Sequence, residues 1–190
     1  MDKRWRNLVF AIAVAGILGI AFLLLSQGPG FNERLSVMRK TWQSYGIEEP
    51  LHLSYQKLNS LDGDELAALR KSLLRFNEEE KNPATRELSD AYVSLVDICI
   101  YRKKMLEKQE ELNSVSDPCA HLSEFDELTL YKERLLASTR DYAKKVDSFI
   151  SDNPSKAKLL ELQSAGSVQE LEQKLAEHKK LIAELKGVCR

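Results

Sequence analysis

From Phe31 onward, apolar side chains recur every three or four positions, the spacing that puts a stripe along one face of an α-helix. Leu35, Met38, Trp42 and Tyr45 share one such face, and Leu66, Leu69, Leu73 and Phe76 share another. Leu88, Tyr92, Leu95, Cys99 and Leu106 continue the pattern, followed by Leu128, Tyr131, Leu135, Tyr142, Val146 and Phe149. The last stretch is the most regular: Val168, Leu171, Leu175, His178, Ile182, Leu185 and Cys189 alternate spacings of three and four, which is a heptad seam. Ser167 and Glu170 open that stretch as a capping box, and Lys179, Lys180 and Lys186 gather toward its C-terminal end, where the helix dipole prefers cations.

The breaks between stripes are equally regular. Pro50, Pro83, Pro118 and Pro154 are spaced 33, 35 and 36 residues apart, and Asn82, Asp117 and Asn153 stand before three of them. Asn or Asp at an N-cap with Pro at the first helical position marks a helix start. Gly46, Gly63, Gly166 and Gly187 all fall where the periodicity lapses and read as helix ends. No alternating Val/Ile/Thr run with a tight glycine hinge is present. The pattern therefore predicts an all-α fold, an elongated up-and-down bundle over residues 31–190 with a C-terminal heptad helix at 168–189. A period near 34 residues raises tetratricopeptide repeats, but those need a turn at mid-unit, and the stripe from Pro83 to Asn113 runs through without one.

Ahead of the bundle the pattern changes character. Leu8 to Leu25 is an 18-residue run with no charged side chain, about 27 Å long as a helix and close to the ~30 Å of a hydrocarbon core. Lys3, Arg4 and Arg6 precede it, and Arg34 is the first cation after it. By the positive-inside rule residues 1–7 form a cytoplasmic basic stub, residues 8–25 a transmembrane signal-anchor in contact with membrane lipid, residues 26–30 a flexible joint, and the remainder lies outside the cytoplasmic membrane. The alternative is secretion after signal cleavage. Against it, the apolar core is longer than the usual 7–15 residues, and Pro29 disturbs both small-residue cut sites between Ser26 and Gly30. Ala11, Ala15 and Gly19 line one face at four-residue intervals, the arrangement that permits close packing of membrane helices.

Composition narrows the functional classes. Of 28 basic and 29 acidic residues, residues 31–190 hold 25 and 28, a net of −3, which leaves no basic footprint for nucleic acid. Three histidines restrict metal and acid–base schemes. Glu49 to His52 forms the one Glu-x-x-His spacing, and Pro50 interrupts it. No zinc-protease, nucleophile-elbow, phosphate-loop or dinucleotide motif occurs, so no catalytic residue, metal ligand or cofactor is expected. The aromatic side chains sit at helical spacing and read as core, His178 as a half-buried packing residue, and Glu78-Glu79-Glu80-Lys81 as a solvated helix end.

Cys99 falls mid-stripe and reads as a small buried hydrophobe. Cys119 follows Pro118 and Cys189 ends the last helix. In an up-and-down bundle they meet if the chain around Ser164 to Ser167 only kinks, and part if it reverses there. A Cys119–Cys189 bridge, an intermolecular bridge through Cys189 and free thiols all stay open. These observations lead to an anchored helical bundle with a structural or protein-interaction role, its heptad seam (Val168, Leu171, Leu175, His178, Ile182, Leu185) meeting either the bundle, a protein partner or a second copy. The rival classes are an extracytoplasmic ligand-binding sensor or accessory subunit, with a pocket among the tyrosines, and an enzyme of unrecognised type.

Overall fold

A computed structural model describes residues 30–47, 54–162 and 168–189. The apolar run Leu8–Leu25, the Ala11, Ala15, Gly19 face, the Glu49 to His52 spacing and Ser167 of the expected capping box lie outside the described residues. Every described element is helical: α1 (Phe31–Gln43), α2 (Ser54–Ser60), α3 (Gly63–Glu79), α4 (Pro83–Asn113), a 3₁₀ turn (Pro118–His121), α5 (Leu122–Asp152), α6 (Pro154–Leu159) and α7 (Gln169–Val188). None of these helices is long and apolar enough to cross a membrane.

Local chemistry sets the boundaries. Asn82 caps α4 by accepting from the Thr85 N–H at 3.1 Å, with Pro83 at the first helical position. Asp62 and Glu65 cap α3 reciprocally, each bond 2.8 Å. The turn that follows α1 passes through Gly46, whose φ of +71° is cheap only for glycine; Ile47 N–H then donates back to Trp42 O and its side chain tucks into the core. Two expected starts are realised differently. After Asp117-Pro118 the chain forms the 3₁₀ turn before the α-helix begins at Leu122, because the Asp117 carboxylate engages Cys119 N–H at 3.0 Å. Asn153 makes no cap bond; its amide donates to Glu87 Oε2 at 3.2 Å and its carbonyl accepts from Lys156 Nζ at 2.8 Å.

Cross-helix bonds establish an up-and-down order. Arg34–Glu80 and Tyr45–Ser72 set α1 antiparallel to α3, and Arg70–Asp97 and Asn77–Asp90 set α3 antiparallel to α4. Ser94–Asp141 and Lys108–Glu127 do the same for α4 and α5. The two 31-residue helices α4 and α5 form a hairpin about 46 Å long. The core is built around Met38, Trp42, Leu58, Leu66, Leu69, Leu73, Leu88, Tyr92, Val96, Cys99 and Phe149, and its main cluster takes nothing from α7. It occupies the hairpin end where α4 begins. Beyond Cys99, Leu112 is the single α4 residue that is buried, and Leu106, expected on the apolar face, is 48% exposed.

One surface expectation is overturned. Glu78 and Glu79 are solvated, but the Glu80 side chain is fully buried. It accepts from Arg34 Nε at 2.7 Å and from the Asn82 N–H at 2.7 Å. The physical reason is long-range: α1 crosses the end of α3 and brings a guanidinium onto the last residue of the acidic run.

Candidate functional site

The heptad residues of α7 face α5 of the same chain. Arg140–Glu172 (2.5 Å), Glu133–Lys179 (2.6 Å) and Asp126–Lys186 (2.6 Å) tie the two helices with antiparallel polarity. On each helix the participants are seven residues apart, so the three pairs form a ladder along one flank. Ile182 is 8% exposed and is the one buried residue of α7; Val168, Leu171, Leu175, His178 and Leu185 are half-buried. Leu181 and Val188, seven residues apart, are 62% and 82% exposed.

The middle of this seam is polar. His178 Nε2 lies 3.1 Å from Thr129 Oγ1, and the Thr129 hydroxyl proton goes to Phe125 O at 2.9 Å. With that proton used, the imidazole pairs as the donor through Nε2–H. Burial, and secondarily the charge of Lys132, hold His178 below its ordinary range; burial likewise lowers Lys132. A neutral imidazole beside a desolvated ammonium is what the interface accommodates.

At one pole the seam ends in a covalent link. Cys119, exposed in the 3₁₀ turn, and Cys189, which caps α7, form a disulfide with Cα atoms 5.3 Å apart and a sequence separation of 70. The antiparallel course of α7 brings them together, since it returns the chain to the pole from which α5 starts. His121 Nδ1 and Glu124 Oε1 pair beside it at 3.2 Å. Cys99 is free and buried, and burial pushes its thiol up to about 11, which makes it unreactive near neutral pH.

A second feature is a cleft of about 490 Å³ between the start of α4 and the C-terminal half of α5. Its walls carry the carboxylates Glu80, Glu87, Asp90 and Asp141 and the cations Lys81, Arg86, Lys144 and Lys145, and no tyrosine. The expectation of a pocket among tyrosines is therefore not met by this cleft: Tyr92 is buried in the core, with Tyr45, Tyr101 and Tyr142 packed against it. Each acid in the cleft already has donors. Glu80 has Arg34 and Asn82, Glu87 has Asn153, Asp90 has Asn77, and Asp141 has Ser94 at 2.6 Å and Lys145 at 2.7 Å. Desolvation opposes ionisation of Asp141, but those two donors outweigh it and lower its pKa. No group of three His, Cys, Asp or Glu among the described residues is arranged to hold a metal ion.

Sequence reasoning picked out Cys119, Cys189 and the α7 seam, and the structure joins them in one interface. It missed the α5 half of that interface. Asp126, Glu133 and Arg140 repeat every seven residues, and that period was the available signal. No family model matches the chain, and no curated protein or solved structure matches it significantly.

Proposed function

We propose that this chain is a single-pass, membrane-anchored helical bundle acting on the outer side of the cytoplasmic membrane in a structural or protein-interaction role, with α5 and α7 paired as a short antiparallel coiled coil. The observation that carries the reading is the Cys119–Cys189 disulfide, exposed to solvent on the Cys119 side. Such bonds persist in oxidising compartments and are rare where glutathione and thioredoxin keep thiols reduced. The basic stub and apolar run of residues 1–25 support the same topology. An elongated bundle, with helix faces as its main exposed feature, supports presentation to another protein over turnover of a substrate.

The test has two arms. Full-length protein in native membranes should resist alkaline carbonate extraction and keep an intact mass that includes residues 1–25, and protease added outside should reach residues 31–190. A mature start near Phe31, or protection of the bundle from external protease, refutes the topology. The interaction role is tested by measuring mass in solution and in-membrane crosslinks of the full chain against a variant ending at residue 167. Identical monomers without crosslinks in both would refute it.

A second reading, an extracytoplasmic ligand-binding sensor or accessory subunit, is favoured by the cleft. Its carboxylates are already bonded, whereas Lys81, Arg86 and Lys144 are exposed cations at its walls, so unused capacity there is that of an anion receptor. Titration calorimetry with inorganic phosphate tests it. Heat lost in Lys144→Gln supports the reading, and no heat from the unaltered chain refutes it.

A further inference from the structure

We infer that the Cys119–Cys189 bridge is a redox latch on α7: its reduction frees the helix from α5 while the body formed by α1 to α6 stays folded. The two parts are held by different means. The main apolar cluster draws on α1 through α6 and their connections, down to Leu160, and takes no residue from α7. The α7 helix meets α5 through one buried side chain, Ile182, and a seam otherwise half-buried. Its three cross-helix ion pairs lie at the surface, where such pairs add little. At mid-seam it has His178 against Thr129, with Lys132 close by, in place of an apolar layer. Val168, at its N-cap, supplies no side-chain cap bond. What fixes its far end is the bond from Cys189 to the turn that precedes α5.

The chemistry is thiol–disulfide exchange with a dithiol, either a protein reductase or a small dithiol. One thiolate of the reductant attacks Sγ of Cys119, the more exposed partner. The Sγ–Sγ bond breaks, Cys189 leaves as a thiolate and takes up a proton, and a mixed disulfide with Cys119 forms. The second thiol of the reductant resolves that intermediate, so the dithiol becomes a disulfide and two electrons and two protons end on Cys119 and Cys189. The end of α7 is then tethered only through its N-terminal connection, and Leu171, Leu175, Ile182 and Leu185 become available to solvent or a partner. This inference does not depend on where the chain lies relative to a membrane.

The protein carries its own control, because Cys99 is fully buried in the main cluster. Oxidised full-length chain is treated with dithiothreitol without denaturant, alkylated with iodoacetamide and analysed by hydrogen-exchange mass spectrometry. The expected result is labelling of Cys119 and Cys189 but not Cys99, amides of Gln169–Val188 exchanging at least about tenfold faster, and unchanged protection over Leu88–Cys99. Cys189→Ser should show the same fast exchange without reductant; should that variant fail to fold, the reduced native chain decides alone. Three results overturn the latch: no labelling of Cys119 under native conditions, unchanged α7 protection after both cysteines are labelled, or simultaneous labelling of Cys99 with loss of protection over Leu88–Cys99.

Discussion

Replacing Glu80 with alanine should destabilise the bundle by about 3 kcal/mol. Its carboxylate is fully buried and accepts two bonds, from Arg34 Nε and from the Asn82 N–H, both 2.7 Å. A hydrogen bond to a charged group contributes roughly 1.5–3 kcal/mol, and deleting the acceptor also strands the donors. The Arg34 side chain is 23% exposed and stacks 5.4 Å over the Phe76 ring, so water and the ring recover part of its loss. That places the pair well below the ~3–5 kcal/mol seen for breaking a fully buried one, and the Asn82 bond restores the total to about 3. For a domain of this size the melting temperature should fall by roughly 6–12 °C.

Urea denaturation of Glu80→Ala, with Glu78→Ala as the control, measures this directly. The control should stay within about 0.5 kcal/mol of the parent, as solvated positions do. The slope of unfolding free energy against urea should be unchanged, since the native fold is kept. A double-mutant cycle with Arg34→Ala should return a coupling of about 1–2 kcal/mol. If Glu80→Ala and Glu78→Ala were equally mild, or the coupling were nil, the assignment of a buried ionic anchor between α1 and α3 would be wrong.

Trp42 is fully buried against Tyr92 in an edge-on contact at 4.9 Å, and its Nε1–H finds no acceptor among the described residues. Trp42→Phe should therefore cost less than about 1.5 kcal/mol in urea, because it removes an unsatisfied donor along with volume, whereas Trp42→Ala should cost about 3–5. Ile182→Ala should raise amide exchange across Gln169–Val188 and leave the main melting transition within about 2 °C, given that the central cluster excludes α7. His178 has a folded pKa depressed by burial and by Lys132, so the unfolded or undocked form binds the proton more readily. The contribution of neutral His178 to α7 docking is then fully present above the ordinary histidine value of ~6.5 and fades as pH falls through it toward the folded value. An NMR titration should place the His178 midpoint below 6.5, and α7 protection at pH 5 should recover in His178→Leu; a midpoint above 6.5 would contradict the sign.

Helix positions were legible because the signals are local. Asn82-Pro83 caps α4 as its residue types require, and the stripe from Leu88 to Cys99 reports a face that is buried throughout. Asn153-Pro154 looks the same on paper, yet the Asn153 amide goes to Glu87, 66 positions away, and no local rule anticipates that competition. Glu80 is the same lesson in charge: three consecutive glutamates look alike until a guanidinium 46 residues earlier selects the last. The bridge stood between these cases. Both cysteines were evident, but whether they meet depends on the course of the chain between α6 and α7, where glycine and serine leave the direction undetermined by pattern.

Burial along the α4–α5 hairpin explains why a covalent link is found where it is. From Ala84 to Cys99 nearly every turn of α4 is covered by α1, α3 or α5, whereas after Cys99 burial resumes only at Leu112. The hairpin thus leaves its core before it ends, and among the described residues the layer over its far half is α7, with one buried side chain. A single helix packed on one face cannot offset the ordering entropy of some twenty residues through half-buried leucines and exposed ion pairs. Closing a 70-residue separation with a disulfide restricts the unfolded ensemble by about 4 kcal/mol in the loop-entropy treatment, comparable to the missing apolar contribution. Amide protection should accordingly decline in steps along α4, highest over Leu88–Cys99 and lower over Lys103–Glu111. On reduction, loss of protection should enter from the Cys119 pole and stop before Cys99, because from there inward the helix is covered by α1 and α3 as well as by α5.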